Sequence, residues 1–464
     1  MRFVRSASSW TTAIETAARL VTPRAILKDP ISLVSHEMSQ LATNIGSLIG
    51  SGHPTLNRIG AYYFESQGKK IRPLLVLLLS RALSEIPLEQ RDRLKKIDDL
   101  DIPEQPVYPG TKSLSAIFND PTGPITPLKI LHGISPNIML DPLTKPHESL
   151  PEFDHNRGIL PKQRRLAEIV EMIHTASLLH DDVIDNSDSR RNRPSGNIAF
   201  NNKMSVLAGD FLLGRASVSI SRLRNPEVIE LTSTSIANLV EGEFMQLKNT
   251  ILQPDEDLIE DNTKRIPKPT GAVPTEPHEY SVRLPDSNGK IHTITHEQNV
   301  DAAFEYYTHK TYLKTASLIS KSCRSAAILS GARDNVIENC YQFGRNLGLC
   351  FQLVDDILDY TQTSEQLGKP GLADLNLGLA TAPILFAWKE NPALGELIQR
   401  KFKQDGDVET AIMEVHKHDG LGKTKELAVK YRDLALQNLR EALPESDSRS
   451  ALEFLTNAVV TRTK

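Results

Sequence analysis

Apolar residues recur along much of the chain at steps of three and four. Leu166, Ile169, Val170 and Ile173 form one stripe; Leu347, Phe351 and then Val354 or Leu358 form another. Side chains at that spacing share one face of an α-helix, so both segments are predicted to be helices with a buried side. The longest unbroken apolar run, Leu74 to Leu79, reads as part of a buried helix. It is far shorter than the roughly 20 residues that span a bilayer. No segment shows the strict alternation of a half-buried strand. Two stretches lack helical periodicity. Eleven of the chain's 28 prolines crowd between positions 98 and 161. Between 251 and 298 an acidic run (Asp255, Glu256, Asp257, Glu260, Asp261) gives way to Pro267, Pro269, Pro274, Pro277 and Pro285. Proline lacks the N–H that a helix interior needs, so both stretches are expected to be insertions. The predicted architecture is one all-α domain over residues 29–464 with two such excursions.

Composition adjusts this picture at one end. The first 28 residues carry Arg2, Arg5, Arg19 and Arg24, several serines and threonines, and Glu15 as their single acid. That is the composition of a mitochondrial transit peptide, which is predicted for residues 1–28. A net charge of −4 over 464 residues argues against nucleic acid as a partner. Cys323, Cys340 and Cys350 have no paired metal spacing, so neither a disulfide framework nor a cysteine metal site is expected.

The chemistry concentrates in a repeated pattern. Asp181, Asp182 and Asp185 stand at i, i+1 and i+4, and Asp355, Asp356 and Asp359 repeat that spacing. Residues four apart lie one turn above each other on a helix. Each cluster follows an apolar segment, which puts a carboxylate patch at the mouth of a buried helix. Clustered carboxylates repel unless a cation sits among them. Hard oxygen ligands without His or Cys suit magnesium, which also takes phosphate oxygens. A lone cluster of this kind is usually solvated surface; two copies on separate apolar helices are not.

Basic residues accompany both clusters. Gly68-Lys69-Lys70-Ile71-Arg72-Pro73 precedes the Leu74 run, with Pro73 suited to a first helical position. A helix start flanked by Lys69 and Arg72 can serve as an anion site, or the charges can simply be a solubilising cluster. Arg190 and Arg191 follow the first cluster; they can grip phosphate through paired hydrogen bonds, or simply balance the nearby aspartates. His174 lies seven residues before Asp181 on the same helix face, and Lys314, Thr315 and Gln352 offer further donors.

Taken in order, these residues resemble the trans-isoprenyl diphosphate synthases. Gly68 to Pro73 is similar to that family's Gly-Lys-x-x-Arg-Pro motif, and the two clusters resemble its two aspartate-rich motifs. Arg190-Arg191, Gly209-Asp210, Glu241 with Gln246, Lys314-Thr315 and Gly368-Lys369 also stand where the family has them. Gly378-Leu379-Ala380-Thr381-Ala382-Pro383 brings the likeness nearest to the mitochondrial polyprenyl synthases of ubiquinone biosynthesis, particularly the fungal hexaprenyl type. Leu379 stands where shorter-chain relatives usually have Lys, and Asn192 replaces a usual Gly. The resemblance implies an antiparallel helical bundle around a central cavity. It implies Mg2+ held by Asp181, Asp185 and Asp355, with Asp182 and Asp359 also counted among the metal-binding residues and Asp356 binding the ion directly or through its ligands. An allylic diphosphate (farnesyl or geranylgeranyl) would face Arg190, Lys314 and Lys369. Isopentenyl diphosphate would meet Lys69, Arg72, His174 and Arg191, with Thr315 and Gln352 lining the reacting pocket. A homodimer in the mitochondrion, on the matrix side of the inner membrane and only peripherally attached, is also implied.

Ala176 and Ser177, one turn before Asp181, are small, and Ile173, Val170 and Ile169 continue below them. A large aromatic at 176 or 177 would cap a product tunnel, so the small pair favours a long product; close helix packing is the competing explanation. Six isoprene units need roughly 30 Å, about five to six helical turns. Two other functions remain conceivable. A terpene cyclase would have one aspartate-rich motif and no second diphosphate site. A non-catalytic partner subunit would have lost aspartates or lysines, whereas both clusters are whole.

Overall fold

The computed structural model describes residues 29–48, 54–65, 70–91, 158–190, 193–248, 283–285, 291–293, 295–361 and 372–462. The expected leader, most of both proline-rich stretches, and Lys69, Arg191 and Lys369 lie outside the described residues. The described helices are α1 (Pro30–Leu33), α2 (Ser35–Leu48), α3 (Pro54–Glu65), α4 (Ile71–Ser84), α5 (Pro161–Ile184), α6 (Gly196–Phe200), α7 (Asn202–Ser221), α8 (Pro226–Lys248) and α9 (His296–Thr311). A π-helical turn, Tyr312–Ala316, joins α9 to α10 (Ser317–Leu329). Then follow α11 (Asp334–Thr361), α12 (Ala373–Asn376), α13 (Ala382–Glu390), α14 (Leu394–Gln399), α15 (Asp407–Lys417), α16 (Gly420–Ala442) and α17 (Asp447–Thr461). The all-α architecture stands.

Two short antiparallel ribbons depart from the helical expectation. Ser189–Arg190 pairs with Arg193–Pro194, and Arg283–Pro285 with Ile291–Thr293. Strands of two and three residues are too short to print an alternation on the sequence, which is why none was legible. The second ribbon and the start of α9 fall within the stretch expected as an insertion at 251–298, and α5 starts at the last residue of the stretch expected at 98–161.

The bundle is organised around α10, which packs against α4, α5, α8 and α11. Almost every α10 side chain is buried, and most are Ser, Ala or Cys. Small side chains let neighbours approach on all sides. Ser317 and Ser320 satisfy their hydroxyls on carbonyls four and three residues back, at 2.8 Å and 3.0 Å respectively. Helix α11 lies so close to the π turn that a Cβ on Gly348 would sit 2.5 Å from Ala316 Cα. Helix ends follow local chemistry. Thr295 and Gln298 form a reciprocal capping box at α9, and Ser446 accepts from Arg449 N–H at α17. Gln163 accepts from Leu160 N–H at 3.0 Å and donates to Ala326 O at 2.9 Å, which ties the start of α5 to α10. Pro73 is the third residue of α4 rather than its first; it still lies in the first turn, where no helical bond needs its N–H.

Candidate active site

Asp181, Asp182 and Asp185 end α5, and Asp355, Asp356 and Asp359 lie in the last turns of α11. Within each cluster the three carboxylates have different surroundings. The middle one is enclosed: Asp182 is fully buried and Asp356 nearly so. Each accepts a hydrogen bond from a tyrosine hydroxyl on another helix, Tyr63 of α3 for Asp182 and Tyr307 of α9 for Asp356 (2.5 Å). Arg190 donates through Nε to the other oxygen of Asp182 at 2.7 Å, and Gln352 donates to the other oxygen of Asp356 at 3.0 Å. Tyr63 O in turn accepts from Gly196 N–H at 2.7 Å. Asp359 is also buried, and receives the backbone N–H groups of Ala373 (3.3 Å) and Asp374 (3.0 Å) at the start of α12. The oxygens of Asp182, Asp356 and Asp359 are thus engaged by other side chains and backbone N–H groups, which the spacing alone did not reveal.

Asp181, Asp185 and Asp355 are the carboxylates left partly open. Burial pushes Asp181 up to about 7; Lys314 opposes that rise, the acidic neighbours Glu243 and Asp185 add to it, and Arg190 also opposes it. Burial raises Asp185 in the same way, against Lys314. Such groups favour any cation that replaces their water. Among the described residues no three acidic, histidine or cysteine side chains converge tightly enough to cage a metal by themselves.

The π turn places the cations. Lys314 Nζ sits 2.5 Å from Glu243 Oε2 and donates to Gln246 Oε1 at 2.9 Å, both on α8. Gly242 makes that approach possible, since a Cβ there would lie 2.9 Å from Lys314 N. Glu241 is exposed; the acid that meets Lys314 is Glu243, which the sequence reading missed. Thr315 Oγ1 donates to Gln352 Oε1 at 2.8 Å, so Thr315, Gln352 and Asp356 form one chain of hydrogen bonds. Lys314 acts on Asp181 and Asp185, while Lys310, one turn earlier at the end of α9 and with its charge disfavoured by burial, acts with Asp356 and Asp374. The α9–π segment thus borders both aspartate clusters.

Arg72 and His174, far apart in sequence, meet at 2.9 Å between the start of α4 and the middle of α5. Arg190 is positioned by the first ribbon, which α3 supports: Tyr62 donates to Pro194 O at 2.7 Å and the Arg193 guanidinium stacks 4.4 Å over the Tyr62 ring. Ala176 is enclosed in the core, whereas Ser177, half-buried, lies one turn below Asp181 with its hydroxyl on His174 O at 2.9 Å. A second unexpected participant is Arg462, just past α17, which reaches Asp355 Oδ1 at 2.5 Å.

The polyprenyl synthetase family model matches residues 148–273 and 286–415, which include both aspartate clusters, the π turn and the first ribbon. The chain belongs to the polyprenyl synthetase family. This polyprenyl synthase is 63% identical to the mitochondrial hexaprenyl pyrophosphate synthase of Saccharomyces cerevisiae, over 100% of its own length and 97% of the relative's. It is 56% identical to a probable mitochondrial hexaprenyl pyrophosphate synthase of Yarrowia lipolytica, over 98% of this chain and 89% of the relative. The fold is that of a polyprenyl synthase from Caulobacter crescentus, a structure described as complexed with calcium and isoprenyl diphosphate, at TM-score 0.62 and 24% identity over 95% of this chain and 100% of that one. Members of the family use a divalent metal and add isopentenyl diphosphate units to allylic diphosphates, and this polyprenyl synthase is a trans-prenyltransferase.

Proposed function

We propose that this polyprenyl synthase makes hexaprenyl diphosphate for the ubiquinone side chain, in the mitochondrion and with magnesium. The observation that carries the reading is the end-to-end 63% identity to the yeast mitochondrial hexaprenyl enzyme, joined to two complete aspartate clusters bordered by one cationic segment. The metal ligands are Asp181, Asp185 and Asp355. Their partial exposure supports this, as does the engagement of Asp182, Asp356 and Asp359 elsewhere. Arg190, Lys314 and Lys369 bind the allylic diphosphate, from farnesyl or geranylgeranyl diphosphate. Lys69, Arg72, His174 and Arg191 bind isopentenyl diphosphate.

Magnesium, when bound, supplies the positive charge that makes diphosphate a good leaving group. Lys314 and Arg190 add fixed charge where negative charge develops as the allylic C–O bond breaks heterolytically. Lys314 is held by Glu243 and Gln246 and Arg190 by Asp182, so neither has to reorganise during the step. Thr315 and Gln352 border the place where the double bond of isopentenyl diphosphate attacks the allylic carbon. The departed diphosphate takes the proton whose loss restores an alkene. The product is again an allylic diphosphate, so the cycle repeats.

The partner state is a homodimer, peripherally attached on the matrix side of the inner membrane. Leu207 and Val218 on α7 and Val240 and Phe244 on the adjacent α8 are exposed large apolar side chains, which favours self-association. No helix among the described residues is long and apolar enough to cross a membrane. A heteromeric reading has one observation behind it, 38% identity to a Schizosaccharomyces pombe chain named as subunit 1 of a decaprenyl-diphosphate synthase. Incubating the single purified chain with magnesium, farnesyl diphosphate and labelled isopentenyl diphosphate decides between them. Elongation to six units supports the proposal; no elongation without a second chain supports the heteromer; a cyclised hydrocarbon contradicts both.

A further inference from the structure

Arg462 is the residue after the last turn of α17, and its side chain is only 4% exposed. The guanidinium lies over the Phe351 ring with its carbon 3.9 Å from the centroid. One nitrogen donates both to Phe351 O at 2.8 Å and to Asp355 Oδ1 at 2.5 Å. Its Nε is buried with no hydrogen-bond partner. Enclosing an arginine with an unmatched N–H is destabilising, so packing alone is a poor reason to keep it there. The ion pair also takes only one oxygen of Asp355, whose side chain remains 42% exposed.

We infer that Arg462 is a positioning residue for metal binding: it clamps Oδ1 of Asp355 against α11 and leaves Oδ2 turned out to receive the ion. The inference rests on the reading of Asp355 as a metal ligand. The clamp is rigid because three contacts converge on one guanidinium, two of them to Phe351, one turn before Asp355 on the same helix. Helix α17 packs on both α11 and α4, the helix whose first turn carries Arg72. Arg462 and α17 thereby tie the second aspartate cluster to the helix of the basic motif. A free aspartate would sample several rotamers; a clamped one presents a single lone-pair direction, which a small octahedral ion requires. Partners of ligating side chains typically contribute 10- to 100-fold to metal affinity.

The test is calorimetric binding of inorganic diphosphate to the full chain over a series of magnesium concentrations, with the melting temperature recorded alongside. Arg462→Gln should raise the magnesium needed for half-maximal binding by about tenfold or more. Arg462→Lys keeps the charge but not the shared geometry, so it should fall between Arg462→Gln and the parent while melting close to the parent. If Arg462→Gln proves too unstable to measure, the lysine variant carries the test. Unchanged magnesium demand in the lysine variant and in any measurable glutamine variant would overturn the inference. So would a lowered demand, which would make Arg462 a competitor of the metal. Asp355→Asn is the control for the underlying reading. If it leaves magnesium demand unchanged, the ligand assignment fails; if it raises the demand while the Arg462 variants do not, only the clamp fails.

Discussion

The three aspartates of each cluster are chemically equivalent in sequence and differ because of what reaches them through space. Tyr63 selects Asp182 from 119 residues away and Tyr307 selects Asp356 from 49. The i, i+1, i+4 spacing was enough to locate both clusters, but it carries no information about which carboxylate turns inward. Tyr63→Phe leaves a buried carboxylate oxygen and the Gly196 N–H without their hydroxyl, so unfolding free energy should fall by about 1–3 kcal/mol in denaturant titration. The magnesium requirement should change much less, because Asp181 and Asp185 are untouched. Asp181 has a pH signature. Its folded value of about 7 lies above the ordinary 3.8, so the folded chain holds the proton more tightly than the unfolded one. This contribution is fully present at low pH and is lost as pH rises through about 7. Without metal, the melting temperature of the parent relative to Asp181→Asn should therefore fall between pH 5 and pH 8. Magnesium with diphosphate should restore the difference most strongly at pH 8, since the ion replaces the proton. A difference independent of pH would contradict the buried setting of Asp181.

At the scale of elements, periodicity was a sound guide to long helices and a poor one to their junctions. Helices α5 and α11 were legible because their apolar residues recur at steps of three and four, although the structure encloses α5 on every side from Leu166 to Ile173. The π turn was not, since nothing in Tyr312 to Ala316 marks a widened turn; yet that turn brings Lys314 to α8 and Thr315 to Gln352. The first ribbon was equally silent, although it determines that Arg190 returns to Asp182. Helix α5 also separates the two explanations of its small residues. Ser177 shares a face with Asp181, whereas Ala176 is enclosed among core side chains. Ser177→Phe should shorten the main product, read by chromatography of the dephosphorylated prenyl alcohols. Ala176→Phe must displace its neighbours and should also cost about 1–3 kcal/mol of stability. If both variants are destabilised with product length unchanged, the small pair serves packing and not the tunnel.

At the scale of the whole molecule, the active site is a meeting of distant segments around one small-residue helix. Segments α3, α4, α5, α8, α9 with its π turn, and α11 each contribute a side chain, and the residue after α17 contributes one more. Glu243 and Arg462 escaped the sequence reading for one reason: each acts only through a partner that folding brings to it. The central claim is that Asp181 and Asp185 on α5 and Asp355 on α11 hold one metal–diphosphate group between them, while Asp182, Asp356 and Asp359 brace the walls. The most direct test is a crystal of the chain with manganese and inorganic diphosphate, with metal positions taken from anomalous scattering. The prediction is manganese bound to Asp181, Asp185 and Asp355, its coordination completed by diphosphate oxygens, with Tyr63 still on Asp182 and Tyr307 still on Asp356. Manganese held instead by Asp182 or Asp359, or bound to one cluster with the diphosphate elsewhere, would contradict it.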